Sequence, residues 1–139
     1  MLAYANLSDA NLRGSKLRDA DLFCTNLYGA HLENADISAK SWGINNRASA
    51  AIMIRAHLEG TNLQGRDLNG AKLNEAFLVQ TDLSGADLKK VNLFRAILDH
   101  PILSAKTDIG GICVQEATMS GVQFDIAQNG PPLQSCAGM

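Results

Sequence analysis

The chain has 139 residues and a formal net charge of −2, with 46% apolar but only 5% aromatic side chains. This length favours one domain, and the charge argues against both a basic nucleic-acid-binding face and an acidic disordered tail. The sequence contains no apolar run of the ~18–20 residues that a membrane span needs, and its start has no signal-peptide pattern. The default expectation is therefore a cytoplasmic protein without a membrane segment.

Two ladders of leucines with a five-residue spacing run through the chain. The first occupies positions 2 to 32 with Ile37 as its last member, and the second runs from Leu58 to Leu103. A small residue, most often alanine, stands two positions before most of these leucines, and asparagine or aspartate often comes directly before them. A helix advances about 100° per residue and a strand about 180°, so neither keeps such a ladder on one face. The pattern predicts a chain that turns once per repeat and builds a solenoid.

The runs Ala20–Leu22, Ala35–Ile37 and Gly85–Leu88 resemble the repeats of the pentapeptide repeat family. The resemblance covers most of the chain. It implies an all-β fold, a right-handed quadrilateral parallel β-helix with four pentapeptides per coil, in which the leucine and the small residue point inward. At that repeat length the chain would form about six coils. Members of the family include proteins that protect DNA gyrase and topoisomerase from quinolones, and many others are cyanobacterial proteins of unknown role.

Two phase slips interrupt the ladders. The step from Ile37 to Leu58 is one residue longer than four repeats, so a slip of one residue falls within 38–50, a stretch that contains Trp42. This stretch is either a degenerate coil with one bulge or a segment that loops out. A second slip follows Leu103, within 103–107. We therefore predict a β-helix over 1–124 and a C-terminal cap or flexible tail over 125–139.

The outward positions suggest one interaction surface. With four repeats per coil, residues twenty apart stack, which places Phe77 and Ile97 in one column and Val79 beside them. Exposed apolar patches often mark surfaces that bind a partner, so Phe77, Val79 and Ile97 are the candidate partner-binding residues. The alternative is that they only cover one another along the coil.

Arg66 occupies a position that the repeat reserves for a small inward residue. An unpaired guanidinium is costly to bury, so we expect a local bulge that turns Arg66 outward. A buried pair with Asp67 or another acid is the alternative.

The sequence offers no strong metal or catalytic site. His31 with Glu33, and His57 with Glu59, flank their leucines and point outward, but no third ligand stands at a suitable spacing. No nucleophile with a partnered base and no phosphate-binding glycine loop is present, so we expect no enzyme activity, no metal and no cofactor. Whether Cys113 and Cys136 pair is open, since a disulfide there needs an oxidising compartment.

These observations favour a non-enzymatic scaffold for an unidentified protein partner. A DNA mimic that binds a topoisomerase is the alternative, although its dense negative charge is missing here. A structural domain of a larger protein is a further alternative. Because Leu2 already lies on the ladder, end-to-end contact between chains through an open coil is another expectation, as is self-association through the Phe77 face.

Overall fold

The computed structural model describes residues 1–39, 48–129 and 136–137. Each pentapeptide closes with a turn in which the N–H of the small residue donates to the carbonyl of the central residue three positions earlier, as from Ala5 to Leu2 at 3.0 Å. The second residue after the central one has a positive φ, for example 56° at Asp9 and 62° at Gly14. Glycine adopts this conformation without strain, and asparagine and aspartate tolerate it better than other residues, which explains why they recur at this position.

The turns stack in parallel, and we call each circuit of the chain a level. Asn6 forms a β-bridge with Asn26, twenty residues later, so one level holds four pentapeptides. Isolated bridges of this kind continue along the stack. Where the pairing is longest, three strands form a parallel sheet in the order β1-β2-β3. They are β1 (Phe77–Val79), β2 (Ile97–Asp99) and β3 (Thr118–Ser120), and a 3-10 helix follows at Phe124–Ile126.

The central residues form the core along the axis of the stack. Leu32, Leu58 and Leu78 lie one above the other and are all 0% exposed. Leu12, in the first level, is only partly buried. Threonine can take the small-residue position because its hydroxyl finds an acceptor there, as where Thr61 Oγ1 donates to the Leu32 carbonyl at 2.6 Å. Burial of each central leucine stabilises the stack by roughly 1.5–3 kcal/mol.

Aspartate and asparagine before the central residue support the turn from outside. The Asn92 side chain accepts the N–H of Phe94 at 2.9 Å, and Asp87 accepts that of Lys89 at 3.0 Å. This hydrogen bond two residues on is the Asx turn, which explains the preference for these residue types at that position.

The first phase slip is larger than one residue. Asn26 pairs with Ile52, which lies six positions beyond the usual step of twenty, so this level is not a coil with a single bulge. Register on both sides places the six extra residues within 40–47. That stretch, with Trp42, lies outside the described residues. At the second slip Ile97 pairs with Thr118, one position beyond the usual step, in agreement with one extra residue after Leu103.

The expected outward bulge at Arg66 is wrong, because this side chain is 0% exposed. Its guanidinium donates hydrogen bonds to three main-chain carbonyls. Nε donates to Ile37, Nη1 to Ala20 at 2.7 Å and Nη2 to Leu17 at 3.2 Å. The cost of burying the charge is offset because these carbonyl acceptors, drawn from two levels, converge on one planar group.

The end of the described chain is attached to the stack. Cys113 and Cys136 form a disulfide, with their Cα atoms 5.2 Å apart. The Cys136 N–H also donates to Gln115 Oε1 at 3.3 Å. Gln128 still bridges Asp108, so the stacking continues into the stretch predicted to be a cap or tail. Among the described residues, no helix is long and apolar enough to cross a bilayer.

Candidate functional site

An open groove with a volume of about 510 Å³ runs along one corner of the stack. We call it the corner groove. It lies beside the column that contains β1 and β2, and its walls come from outward residues of successive levels. The groove is lined by Asp9, Tyr28, Gly29, Arg55, His57, Glu75, Phe77, Arg95 and Ile97. By contrast, the apolar gap inside the core measures about 10 Å³, which is too small for a ligand.

The floor of the groove belongs to a column of stacked rings, of which His57 and Phe77 line the groove and His31 does not. The rings of His31 and His57 stack at 4.6 Å between centroids, and those of His57 and Phe77 at 4.7 Å. Ile97 pairs with Phe77 in the parallel sheet and continues the column. The column exists because equivalent repeat positions on neighbouring levels lie one strand spacing apart, about 4.8 Å.

The rim of the groove carries paired charges. Arg55 Nε contacts Glu75 Oε2 at 2.8 Å, and Arg95 Nε contacts Glu116 Oε2 at 2.7 Å. Arg55 also donates to the Tyr28 hydroxyl at 3.0 Å. The hydrogen bond and charge of Glu75 raise the pKa of Arg55. The rim therefore presents both signs of charge beside an apolar floor.

The three candidate partner-binding residues have the predicted register. Phe77 pairs with Ile97, and Val79 pairs with Asp99. Phe77 and Ile97 line the corner groove, whereas Val79 is not among its lining residues. All three are partly buried. Their role in binding a partner stays a prediction. The large apolar side chains that the described structure leaves exposed are Met1, Tyr4, Tyr28, Ile102, Met119 and Ile126.

The structure brings together a histidine–carboxylate cluster that the sequence analysis kept apart. His31, Glu33 and His57 offer ligand atoms that all lie within 4.8 Å of one another. They meet because His31 forms a β-bridge with His57, 26 residues later. The usual step of twenty residues would have paired His31 with residue 51 instead. Burial raises the pKa of Glu33, but hydrogen bonds from its backbone and from His31 and the charge of Arg13 outweigh burial, so its pKa is lowered.

Parallel levels of five-residue turns with leucine in the core define a β-helix built from short repeats. The sequence model for pentapeptide repeats matches the chain with 8 copies, over residues 2–38, 51–89 and 67–99. The chain belongs to the pentapeptide repeat family, as its repeats indicated. No curated protein sequence matches it.

Three solved structures show how far the likeness extends. A pentapeptide repeat protein from the cyanobacterium Cyanothece 51142 is 24% identical with a TM-score of 0.53, over 75% of this chain and 61% of that one. HetL, involved in heterocyst differentiation regulation in the cyanobacterium Nostoc sp. strain PCC 7120, is 25% identical with a TM-score of 0.44, over 88% and 63%. QnrB1, a plasmid-mediated fluoroquinolone resistance protein, is 13% identical with a TM-score of 0.38, over 91% and 76%.

The chain spans 61% and 63% of the length of the first two of these proteins. The Cyanothece likeness supports the β-helix fold. Identities this low carry no conclusion about what this chain binds.

Proposed function

We propose that the protein is a non-enzymatic scaffold that binds a protein partner in the corner groove, on a right-handed β-helix of about six coils. The corner groove itself carries the proposal. It joins a stacked floor of His57, Phe77 and Ile97 to a rim with both signs of charge. Interfaces combine such an apolar centre with a polar border.

The shape of the groove favours an extended partner segment. Its floor runs along the stack through successive levels, and its rim alternates between arginine and glutamate at Arg55, Glu75 and Arg95. A segment with an apolar side chain between acidic and basic neighbours would match both floor and rim. The alternative is that a second copy of the chain binds, either in this groove or at an end of the coil.

Charge pairing favours this function over DNA mimicry. A mimic needs about one negative charge per ~1.7 Å of length. Here four acids, Glu33, Asp36, Glu75 and Glu116, form ion pairs with arginines, as in Arg18–Asp36 at 2.6 Å and Arg55–Glu75 at 2.8 Å. Such pairs cancel the field that a topoisomerase would recognise.

The compartment is also a matter of proposal. The sequence favours the cytoplasm by default, whereas the Cys113–Cys136 disulfide favours an oxidising compartment. We therefore place the scaffold in an oxidising compartment. Alkylation of free thiols during denaturing lysis of the source cells should leave Cys113 and Cys136 unmodified, and modification of both would favour the cytoplasm.

Site-specific photo-crosslinking tests the groove. A photoreactive amino acid at position 97 is expected to give one discrete cross-linked species with a different protein, because Ile97 lies on the groove floor. Phe77→Asp should abolish that species, since it replaces the aromatic ring of the floor with a charged side chain. Far-UV circular dichroism shows whether the variant keeps its fold.

The matched control places the photoreactive residue at Ile52, which holds the same repeat position as Phe77 on the neighbouring face and is also partly buried. No species is expected from position 52. Equal yields from both positions, or a species that survives Phe77→Asp in a folded variant, would contradict the proposal. A cross-link between two copies of the chain would assign the groove to self-association instead.

A further inference from the structure

The histidine–carboxylate cluster lies on an outward face, at the levels that the six extra residues separate. His31 and Glu33 flank Leu32 on one level, and His57 and Glu59 flank Leu58 on the next. Residues on either side of an inward leucine project to the outside, so all four side chains share one patch of surface. Imidazole nitrogens and carboxylate oxygens are the ligands that Zn²⁺ takes from proteins when no thiolate is present.

Each histidine holds one carboxylate oxygen at about the separation of two ligands of a single ion, and the ligand atoms of His31, Glu33 and His57 all lie within 4.8 Å of one another. His31 Nδ1 lies 3.1 Å from Glu33 Oε1, and His57 Nδ1 lies 3.4 Å from Glu59 Oε1. Ligands bonded at ~2.0–2.1 Å to a tetrahedral ion are separated by about 3.3 Å. The two imidazoles are stacked with a tilt of 16°, so binding of one ion by both Nδ1 atoms requires the rings to rotate out of the stack.

An internal cation already occupies part of this position. Arg13 Nη2 lies 2.7 Å from His31 Nδ1 and 3.0 Å from Glu33 Oε1. The same Nδ1 also lies 3.1 Å from Glu33 Oε1, so the guanidinium and the carboxylate compete for one ring nitrogen. The Arg13 side chain is 49% exposed, so it is free to move away when an ion binds.

The carboxylates supply a second, independent observation. Within the described part of the chain, Glu33 Oε2 and Glu59 Oε2 are buried side-chain atoms without a hydrogen-bond partner. Buried carboxylate oxygens are normally paired, and an unpaired one needs an explanation. Rotation of either carboxylate toward a bound ion would give that oxygen a partner.

We propose that His31, Glu33 and His57 bind a divalent transition-metal ion of the zinc class, with Arg13 as the competing internal cation. Two imidazoles with carboxylates select Zn²⁺, Ni²⁺ or Cu²⁺ over Mg²⁺ and Ca²⁺, which prefer oxygen alone. The ion would tie together two levels whose connection contains the six extra residues. Its role is structural, since the ligands come from both sides of that insertion.

Calorimetric titration of the chain, without a histidine tag, with ZnCl₂ tests the proposal, with MgCl₂ as the comparison ion. One Zn²⁺ per chain is expected, with little heat from Mg²⁺ and a higher unfolding midpoint in Zn²⁺. His57→Gln and the nearly isosteric Glu33→Gln should each weaken Zn²⁺ binding at least about tenfold. Arg13→Gln should tighten it several-fold, because the competing cation is removed.

The matched control is His100→Gln. His100 contacts Asp99 at 2.7 Å, away from the cluster, so its loss should leave the affinity unchanged. Absorption of the Co²⁺-loaded chain in the visible range should report a tetrahedral nitrogen–oxygen site that changes in His57→Gln. Saturable binding that is equal in wild type and a folded His57→Gln variant would overturn the proposal. So would the absence of binding in both the wild type and Arg13→Gln.

Discussion

Arg66 shows how the core accommodates one large charged side chain. It stands where other repeats have a small inward residue, and its guanidinium reaches carbonyls of the two levels below. Burial lowers its pKa, while the charges of Asp19, Asp21 and Asp36 raise it. Asp36 remains ionised well into the acid range, because hydrogen bonds, first that of Ser38, hold its pKa at about 2. Carboxylates and carbonyls together supply what a buried cation requires.

Replacing Arg66 should therefore be among the costliest single changes in the molecule. Arg66→Ala is expected to lower the free energy of unfolding by about 3 kcal/mol, because it leaves a cavity and removes the donors to three carbonyls. Arg66→Met preserves much of the volume and should lose about 1–2 kcal/mol. Urea unfolding followed by circular dichroism measures both values.

The control for that series is Arg55→Ala, which removes an arginine from an exposed ion pair with Glu75. Exposed pairs contribute little, so the midpoint of unfolding should hardly change. If Arg66→Ala and Arg55→Ala had the same effect, the buried hydrogen bonds of Arg66 would not stabilise the fold.

At the scale of elements, the position of a strand in the stack decides how much it contributes. β1 has levels on both sides, because Phe77 pairs with His57 below and with Ile97 above. The first level has a described neighbour on one side only, and its leucines are only partly buried. In a solenoid, stability is the sum of the repeats and the contacts between neighbours. Interior levels are therefore the most strongly held.

A matched pair of leucines tests this dependence on position. Leu78→Ala, in β1, should lower the free energy of unfolding by about 2–5 kcal/mol, because it leaves a cavity in a fully buried column. Leu12→Ala removes the same atoms from the same face of the first level and should cost roughly half as much. Equal losses in urea unfolding would mean that burial in this structure does not govern the energetics.

At the scale of the whole molecule, the repeat could be predicted from the sequence but the stacking partners could not. The leucine ladder and the small residue before it follow from the turn geometry at each repeat. The spacing of leucines in a five-residue ladder, however, reveals the length of an insertion only up to multiples of five residues. Insertions of one residue and of six residues therefore shift the ladder in the same way. The step from Ile37 to Leu58 is one residue longer than four repeats. It did not indicate that the Ile37 N–H donates to the Asn62 carbonyl, beside Leu63.

The same ambiguity explains which parts of the candidate sites were missed. Phe77 and Ile97 lie beyond the insertion, and their pairing twenty residues apart was predicted. His31 lies before it and His57 after it, so their contact depends on the size of the insertion. The burial of Arg66 was missed for a different reason. The repeat pattern does not indicate that main-chain carbonyls of two levels point toward its guanidinium inside the core.

The disulfide should stabilise one end of the molecule without affecting the middle. Cys113 and Cys136 close a loop of 23 residues, for which the loss of unfolded-state entropy corresponds to about 3 kcal/mol. Because levels interact mainly with their neighbours, Cys136→Ser or reduction should increase hydrogen exchange in β3 and around Gln128 and leave β1 protected. Exchange measured by mass spectrometry checks this.

The control variant is Cys24→Ser, since Cys24 is a free cysteine in the described structure. Under oxidising conditions its exchange pattern should equal that of the oxidised wild type, and under reducing conditions that of the reduced wild type. Faster exchange along the whole stack after reduction would contradict a local effect.

The unequal lengths of the levels also bear on how the chain finds its register during folding. Levels made of near-identical pentapeptides can shift past one another by a full circuit and still pair leucine with leucine, so a misaligned intermediate would lose little stability. The longer step from Asn26 to Ile52 makes one level unlike the others, and in the observed alignment Arg66 donates to three carbonyls. We expect this unequal level to favour the native register over shifted ones, because a shift would separate Arg66 from these carbonyls.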